Sequence, residues 1–156
     1  MFSEESWFNY LTQWQQQLVE VTSNLLEQYE NNETMADYSF IVFPMAKAYE
    51  GFLKKFLLDL KLISVKTYDG RRFRIGRALN PDVSEYQRDK YWLYDDVAKI
   101  CSKKVARQLW NAWLHCRNKV FHYFPADMGL LTYLEAKEKV DEINMAMRAA
   151  AVCYYN

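Results

Sequence analysis

The spacing of apolar residues divides the 156-residue chain into helical segments. Over residues 4–31, Trp7, Leu11, Trp14, Leu18, Val21 and Leu25 recur at alternating intervals of four and three, the period of one buried helix face. Ser3 is placed to cap that helix, and Glu4 and Glu5 suit its positive end. A second helix is expected over about residues 37–62, with Phe40, Phe43, Ala48, Phe52, Phe56 and Leu60 on one side. Pro44 either kinks it or marks its true start. Between residues 64 and 78 the pattern changes to SVKTYDGRRFRIGRA. Asp69-Gly70 is a tight-turn signal, flanked by Val, Thr and Tyr on one side and by Phe and Ile alternating with Arg on the other. A small β-hairpin carrying arginines is therefore expected there. Asn80-Pro81-Asp82 reads as a loop, and a further helix is expected over residues 84–102.

Residues 103–123 form the next helical pattern. Val105, Leu109, Trp113, Cys116 and Val120 make a buried stripe, with Trp110, Leu114, Arg117 and Phe121 beside it. Beyond these, Asn111, His115, Asn118 and His122 share a polar stripe at the border of the core-facing side. Pro125 and Gly129 end the helix. The last helix is expected over residues 132–155, with Leu134, Val140, Ile143, Met147 and Ala150 inward. Together these patterns predict an all-α fold, a single domain of about five helices with one small hairpin.

Composition agrees with this and narrows it. Apolar residues make up 51% of the chain and aromatics 17%, with 4 Gly and 3 Pro, which suits a packed helical protein and excludes disorder. No apolar run has the length of a membrane span, and the acidic start MFSEESWF is unlike a signal peptide, so a cytoplasmic protein without membrane association is expected. Cys101, Cys116 and Cys153 are odd in number, widely spaced and without a CxxC pair, so buried free thiols are expected in preference to a disulfide or a zinc site. The net charge of zero hides segregation. Residues 1–60 hold nine carboxylates against Lys47, Lys54 and Lys55. Residues 60–81 hold Lys61, Lys66, Arg71, Arg72, Arg74 and Arg77 against Asp69 alone, and residues 97–126 carry six cations and no carboxylate. These segments are either ordinary solvated faces or a positive surface directed at a polyanion.

The chemistry concentrates in RNKVFHYFP, residues 117–125. In a regular helix Asn118 and His122 face the same way, while Arg117 and His122 diverge by roughly 140°. A long arginine can swing back across that gap, especially where the helix loosens before Pro125. A guanidinium that grips a phosphate beside an imidazole that exchanges a proton are two functions RNA cleavage needs, and no metal is required. The competing reading is a core-border histidine satisfied by a carbonyl and an arginine paired to a surface acid. His115 and His122 are seven apart, about 10.5 Å along a helix axis, unlike the pair of a zinc helix, and no phosphate-cradling glycine loop occurs. Glu50, between Lys47 and Lys54 on the second helix, is either a surface ion pair or a carboxylate that meets Arg117 across the bundle and orients it.

RNKVFH is an R-x4-H element with a polar residue directly after the arginine, near the end of a helix in an all-α chain. In this it resembles the HEPN superfamily, metal-independent ribonucleases and ribonuclease-derived modules of toxin–antitoxin, phage-defence and CRISPR systems. The stretch YSFIVFPMAKAYEGFLKKFLLDLKLI, the arginine-bearing segment after it and NPD are similar to the C-terminal HEPN domain of RnlA/LsoA-type toxins, over roughly residues 38–125. Those toxins carry N-terminal domains absent from this sequence, which implies a stand-alone relative or one with a different partner. The resemblance implies an endoribonuclease that attacks with the 2′-hydroxyl and leaves a 2′,3′-cyclic phosphate. By matching position His122 would act as acid or base, Arg117 would hold the phosphate, Asn118 would orient the pair and Glu50 would position Arg117. Lys47 stands where the family more often has arginine. Lys47 and Lys119, with Arg71, Arg72, Arg74 and Arg77, would contact RNA. A homodimer and a cognate antitoxin protein are implied as partners, and no cofactor. Some relatives carry an AMP-accepting tyrosine two residues after the histidine; here position 124 is Phe and the tyrosine is Tyr123.

Two other functions fit the same residues. One is a non-catalytic HEPN-fold interaction module that binds RNA, nucleotide or an antitoxin, and the other a purely structural bundle in which RNKVFH is coincidental.

Overall fold

The computed structural model describes residues 6–32 and 34–155, and among them the chain forms eight α-helices and no strand. The all-α expectation holds. The expected first helix is two: α1, Ser6–Tyr10, and α2, Gln13–Tyr29. Thr12 breaks it by capping α2, accepting from the Gln15 backbone N–H while the Gln15 side chain accepts from Thr12 N–H. This restart also turns the buried face by one residue. Gln15, Val19, Thr22 and Leu26 point inward, whereas Trp14 is 78% exposed and Val21 faces solvent. The threonine hydroxyl is satisfied by the Leu18 carbonyl, which makes its burial tolerable. Ser3, Glu4 and Glu5 lie outside the described residues.

Helix α3, Ser39–Asp59, forms the centre of the molecule, packed against α2 and against the last helix α8, Tyr133–Tyr155. Ile41, Met45, Ala48, Tyr49, Phe52, Leu53 and Phe56 are fully buried on α3. The expected inward positions Phe40 and Phe43 instead turn outward, and Pro44 sits inside the helix. Gly51 lets α2 approach closely, because a Cβ there would meet the Gln15 side chain at 2.7 Å. Beyond the helix end, Leu62 N–H bonds the Leu57 carbonyl and Lys61 takes a left-handed φ of 60°. Asp37 links the start of α3 to the loop before α8: it accepts from Ser39 and from Leu131 N–H. Its partial burial raises the carboxyl pKa, but these bonds outweigh that and hold it below its ordinary value.

The hairpin expected at residues 64–78 does not form. Ser64 accepts from Thr67 N–H and starts α4, Val65–Asp69, and a second short helix, α5, covers Ile75–Ala78. Gly70 has φ −75°, so Asp69-Gly70 lacks the left-handed backbone a two-residue hairpin turn demands. Phe73, Ile75, Ala78 and Leu79 bury inward from a connection rather than from one face of a ribbon. The helix expected over residues 84–102 shrinks to a 3₁₀ turn, Glu85–Gln87, and α6, Tyr94–Ile100. Between them Arg88 lies over the Trp92 ring, and the Trp92 indole donates to the Asn80 carbonyl.

The cysteine expectation also fails for two of the three residues. Cys101, just after α6, is disulfide-bonded to Cys153 near the end of α8, 52 residues away in sequence. Cys116 is a buried free thiol, and burial together with Glu142 pushes its pKa well up. Helix α8 buries Val140, Ile143, Met147 and Ala150 as expected, but Tyr133 takes the inward place of Leu134. No helix of the described residues is long and apolar enough to cross a membrane.

Candidate functional site

Helix α7, Lys103–Trp113, is capped by Ser102 and buries Leu109, Trp110 and Trp113. The Tyr49 hydroxyl donates to the Leu109 carbonyl and ties α7 to α3. The α-helical pattern does not continue to residue 123. Leu114–Asn118 forms a π turn, closed by Lys119 N–H on the Leu114 carbonyl, and the chain then unwinds. The unwinding after Asn118 falls between Arg117 and His122, and both side chains line one cleft.

The polar stripe expected to hold both histidines is split by this turn. His115 faces α8, with Nδ1 3.2 Å from Glu142 Oε1. His122 faces α3 and is exposed, with Nε2 3.3 Å from Asn118 Oδ1. A cleft of about 430 Å³ brings together Lys47, Glu50, Arg117 and His122, with Phe43 and Phe121 in its wall. The two phenylalanine rings meet edge to face, 5.6 Å between centroids, and brace α3 against the unwound segment.

Glu50 lies near both of the cations expected around it. Oε1 lies 3.9 Å from Lys54 Nζ and Oε2 3.9 Å from Arg117. At that length, and half-exposed, these pairs contribute little stability. The guanidinium also lies near the Trp113 ring, 5.0 Å from its centroid. Chemically, the cleft presents a guanidinium, an ammonium and an imidazole around a concavity of the size an anionic group needs.

The remaining basic residues divide. A second cleft of about 400 Å³ adjoins the first and shares Glu50 and Arg117 with it, adding Arg74, Arg77 and Asn118. Arg71 and Arg72 lie farther off in a larger cleft of about 890 Å³, which again includes Arg74 and Arg77. Lys119 is exposed and lines none of these clefts. Trp113 was legible only as core, although it precedes Arg117 by four and so reaches its side chain. It also supports α5, since a Cβ on Gly76 would meet its indole nitrogen at 2.8 Å. Lys66, from the basic segment of residues 60–81, also lines the large cleft, and Lys90 and Tyr91 join it without any sequence motif to mark them.

No protein-family model matches this chain, and no curated protein or solved structure is significantly similar to it.

Proposed function

We propose that the chain is a metal-independent endoribonuclease of the HEPN type, acting in the cytoplasm as the toxin of a toxin–antitoxin or phage-defence system. The observation that carries this reading is the convergence of Lys47 and Glu50 from α3 with Arg117 and His122 on one cleft. Those residues lie far apart in sequence, and the fold brings the Glu50 carboxylate to 3.9 Å from Arg117 in the cleft that His122 also lines.

In the proposed reaction the 2′-oxygen of RNA attacks the adjacent phosphorus and the bond to the 5′-oxygen breaks, leaving a 2′,3′-cyclic phosphate. The 2′-hydroxyl proton goes to a base and the departing 5′-oxygen takes one from an acid. His122 fills one of these roles, and the same residue of a second copy would fill the other in a homodimer. Arg117 stabilises the charge on the phosphorane, and Glu50 keeps its guanidinium turned to the cleft. Asn118 orients the imidazole through its side-chain oxygen.

A second reading, a non-catalytic module that binds an antitoxin protein, draws on the apolar surface beside the cleft. Phe43 is 56% exposed, and Tyr123 and Phe124 are more so. The discriminating experiment is cleavage of single-stranded RNA in EDTA by wild type and by His122→Ala. Cleavage lost in a folded variant supports the nuclease; full activity in His122→Ala eliminates it.

A further inference from the structure

We propose that a single RNA strand runs along one continuous basic trench, from Arg71 and Arg72 past Arg74 and Arg77 to the Arg117–His122 cleft, with an unpaired base stacked on Tyr91. The place of cleavage within this path rests on the nuclease reading above; the path itself rests on the shared walls of the three clefts. Arg74 and Arg77 line both the first and the second, and Glu50 and Arg117 line both the second and the third.

Charge selects an anionic occupant. Among the described residues, Lys66, Arg71, Arg72, Arg74 and Lys90 have no carboxylate within ion-pair distance. Asp89 is the one carboxylate in the lining of the large cleft, and Arg77 engages it at 3.0 Å. Uncompensated cations facing one concavity concentrate its field. Length excludes a lone small anion, because three clefts in series track a chain of charges.

The aromatic lining selects nucleic acid over an acidic peptide. Tyr91 is 39% exposed, its ring held edge-on by Phe73 at 6.1 Å and approached by Lys90 Nζ at 5.1 Å. Lys90 lies over one face of the ring, and its exposed part offers a base a stacking surface beside the cations that a phosphate requires. A duplex keeps its bases stacked within, so the face suits a single strand. The cations are also pre-positioned. Arg77 is fixed on the Gln87 carbonyl and Arg74 on the Arg71 carbonyl, so little ordering remains to be done on binding.

The test uses the whole chain and a fluorescent 2′-O-methyl RNA of about 12 nucleotides, within the usual range of single-strand sites. That probe offers no attacking hydroxyl, so binding is read whether or not the chain is a nuclease. Arg71→Ala/Arg72→Ala should weaken binding about tenfold, the effect of two exposed ion pairs. It should also reduce the slope of log affinity against log salt by about 1.4, two contacts at about 0.7 each. Tyr91→Ala should weaken binding about tenfold and Tyr91→Phe should not, with thermal unfolding confirming that each variant is folded. Unchanged binding in either alanine variant, or no binding by wild type, overturns the trench. So does a polyglutamate peptide that competes as well as the RNA, which would assign the surface to an acidic protein. Loss of cleavage in His122→Ala with unchanged binding in the trench variants would leave the nuclease standing and the trench refuted. Trench binding without any cleavage would do the reverse.

Discussion

The two ends of the π turn carry the same three kinds of residue and do opposite things with them. On the α8 side, His115 meets Glu142, which also lies 3.9 Å from Lys139. On the α3 side, His122 shares a cleft with Glu50, which lies 3.9 Å from Arg117. The difference is which partner the carboxylate takes. Glu142 engages the imidazole directly and stands beside the buried Cys116 thiol, so that cluster is closed on itself. Glu50 is taken up by cations, which leaves the imidazole of His122 beside the Asn118 amide oxygen and the Phe124 ring, with no carboxylate bonded to it among the described residues. An imidazole already paired to a carboxylate holds two helices together. The one beside a guanidinium lines an open cleft, where the proposed chemistry would use it.

The largest effect should come from the histidines themselves. His122→Ala is expected to lower RNA cleavage about 10²- to 10⁴-fold while leaving thermal unfolding unchanged. His115→Ala should leave the cleavage rate within about twofold and cost about 1 kcal/mol of stability. Equal losses of activity in both would abolish the distinction. Next in size is Cys101→Ser, which should lower the unfolding free energy by about 2–4 kcal/mol in denaturant titrations, since it frees the end of the helix that carries Glu142. Cleavage by this variant should be unchanged at temperatures where it is folded, as should cleavage by wild type in reductant. The carboxylates come third. Glu50→Gln should reduce the rate about tenfold with stability unaltered, whereas Glu142→Gln should cost about 1 kcal/mol of stability and little rate.

Two smaller tests sharpen the picture at the edges of the α3 side. Asp37, which fixes the loop following His122, has a lowered carboxyl pKa in the folded protein. Its contribution is therefore complete above the ordinary value of 3.8 and is lost as pH falls below it toward the lower folded value. Asp37→Asn should flatten the acid limb of the stability profile measured by circular dichroism. Lys61→Gly should raise stability by about 0.5–1 kcal/mol, because glycine takes the left-handed backbone at the end of α3 without strain.

Much of the helical layout could be read from the chain, and the misses have local causes. The long apolar period of α3 and α8 survives because each is buried along its length by neighbours on more than one side. The break before α2 was present in the sequence as Thr12 and Gln15, a capping pair outweighed by an apparently continuous apolar stripe. Residues 64–78 alternate like a strand, but strand pairing needs a partner, and Ser64 offered the backbone a helix start closer at hand. The Cys101–Cys153 bond is a contact between residues 52 apart, which spacing cannot indicate.

By itself the sequence determined the all-α class, the candidate residues of RNKVFH and the clustering of cations in two segments, because composition and helical period are properties of neighbouring residues. Tertiary structure alone decided that His115 turns to α8 and His122 to α3, that Glu50 reaches Arg117, and that Arg74 and Arg77 line a cleft shared with Glu50 and Arg117. Each of those depends on how helices distant in sequence pack, and one extra residue in a helical turn, invisible in the period of the sequence, was enough to divide the two histidines.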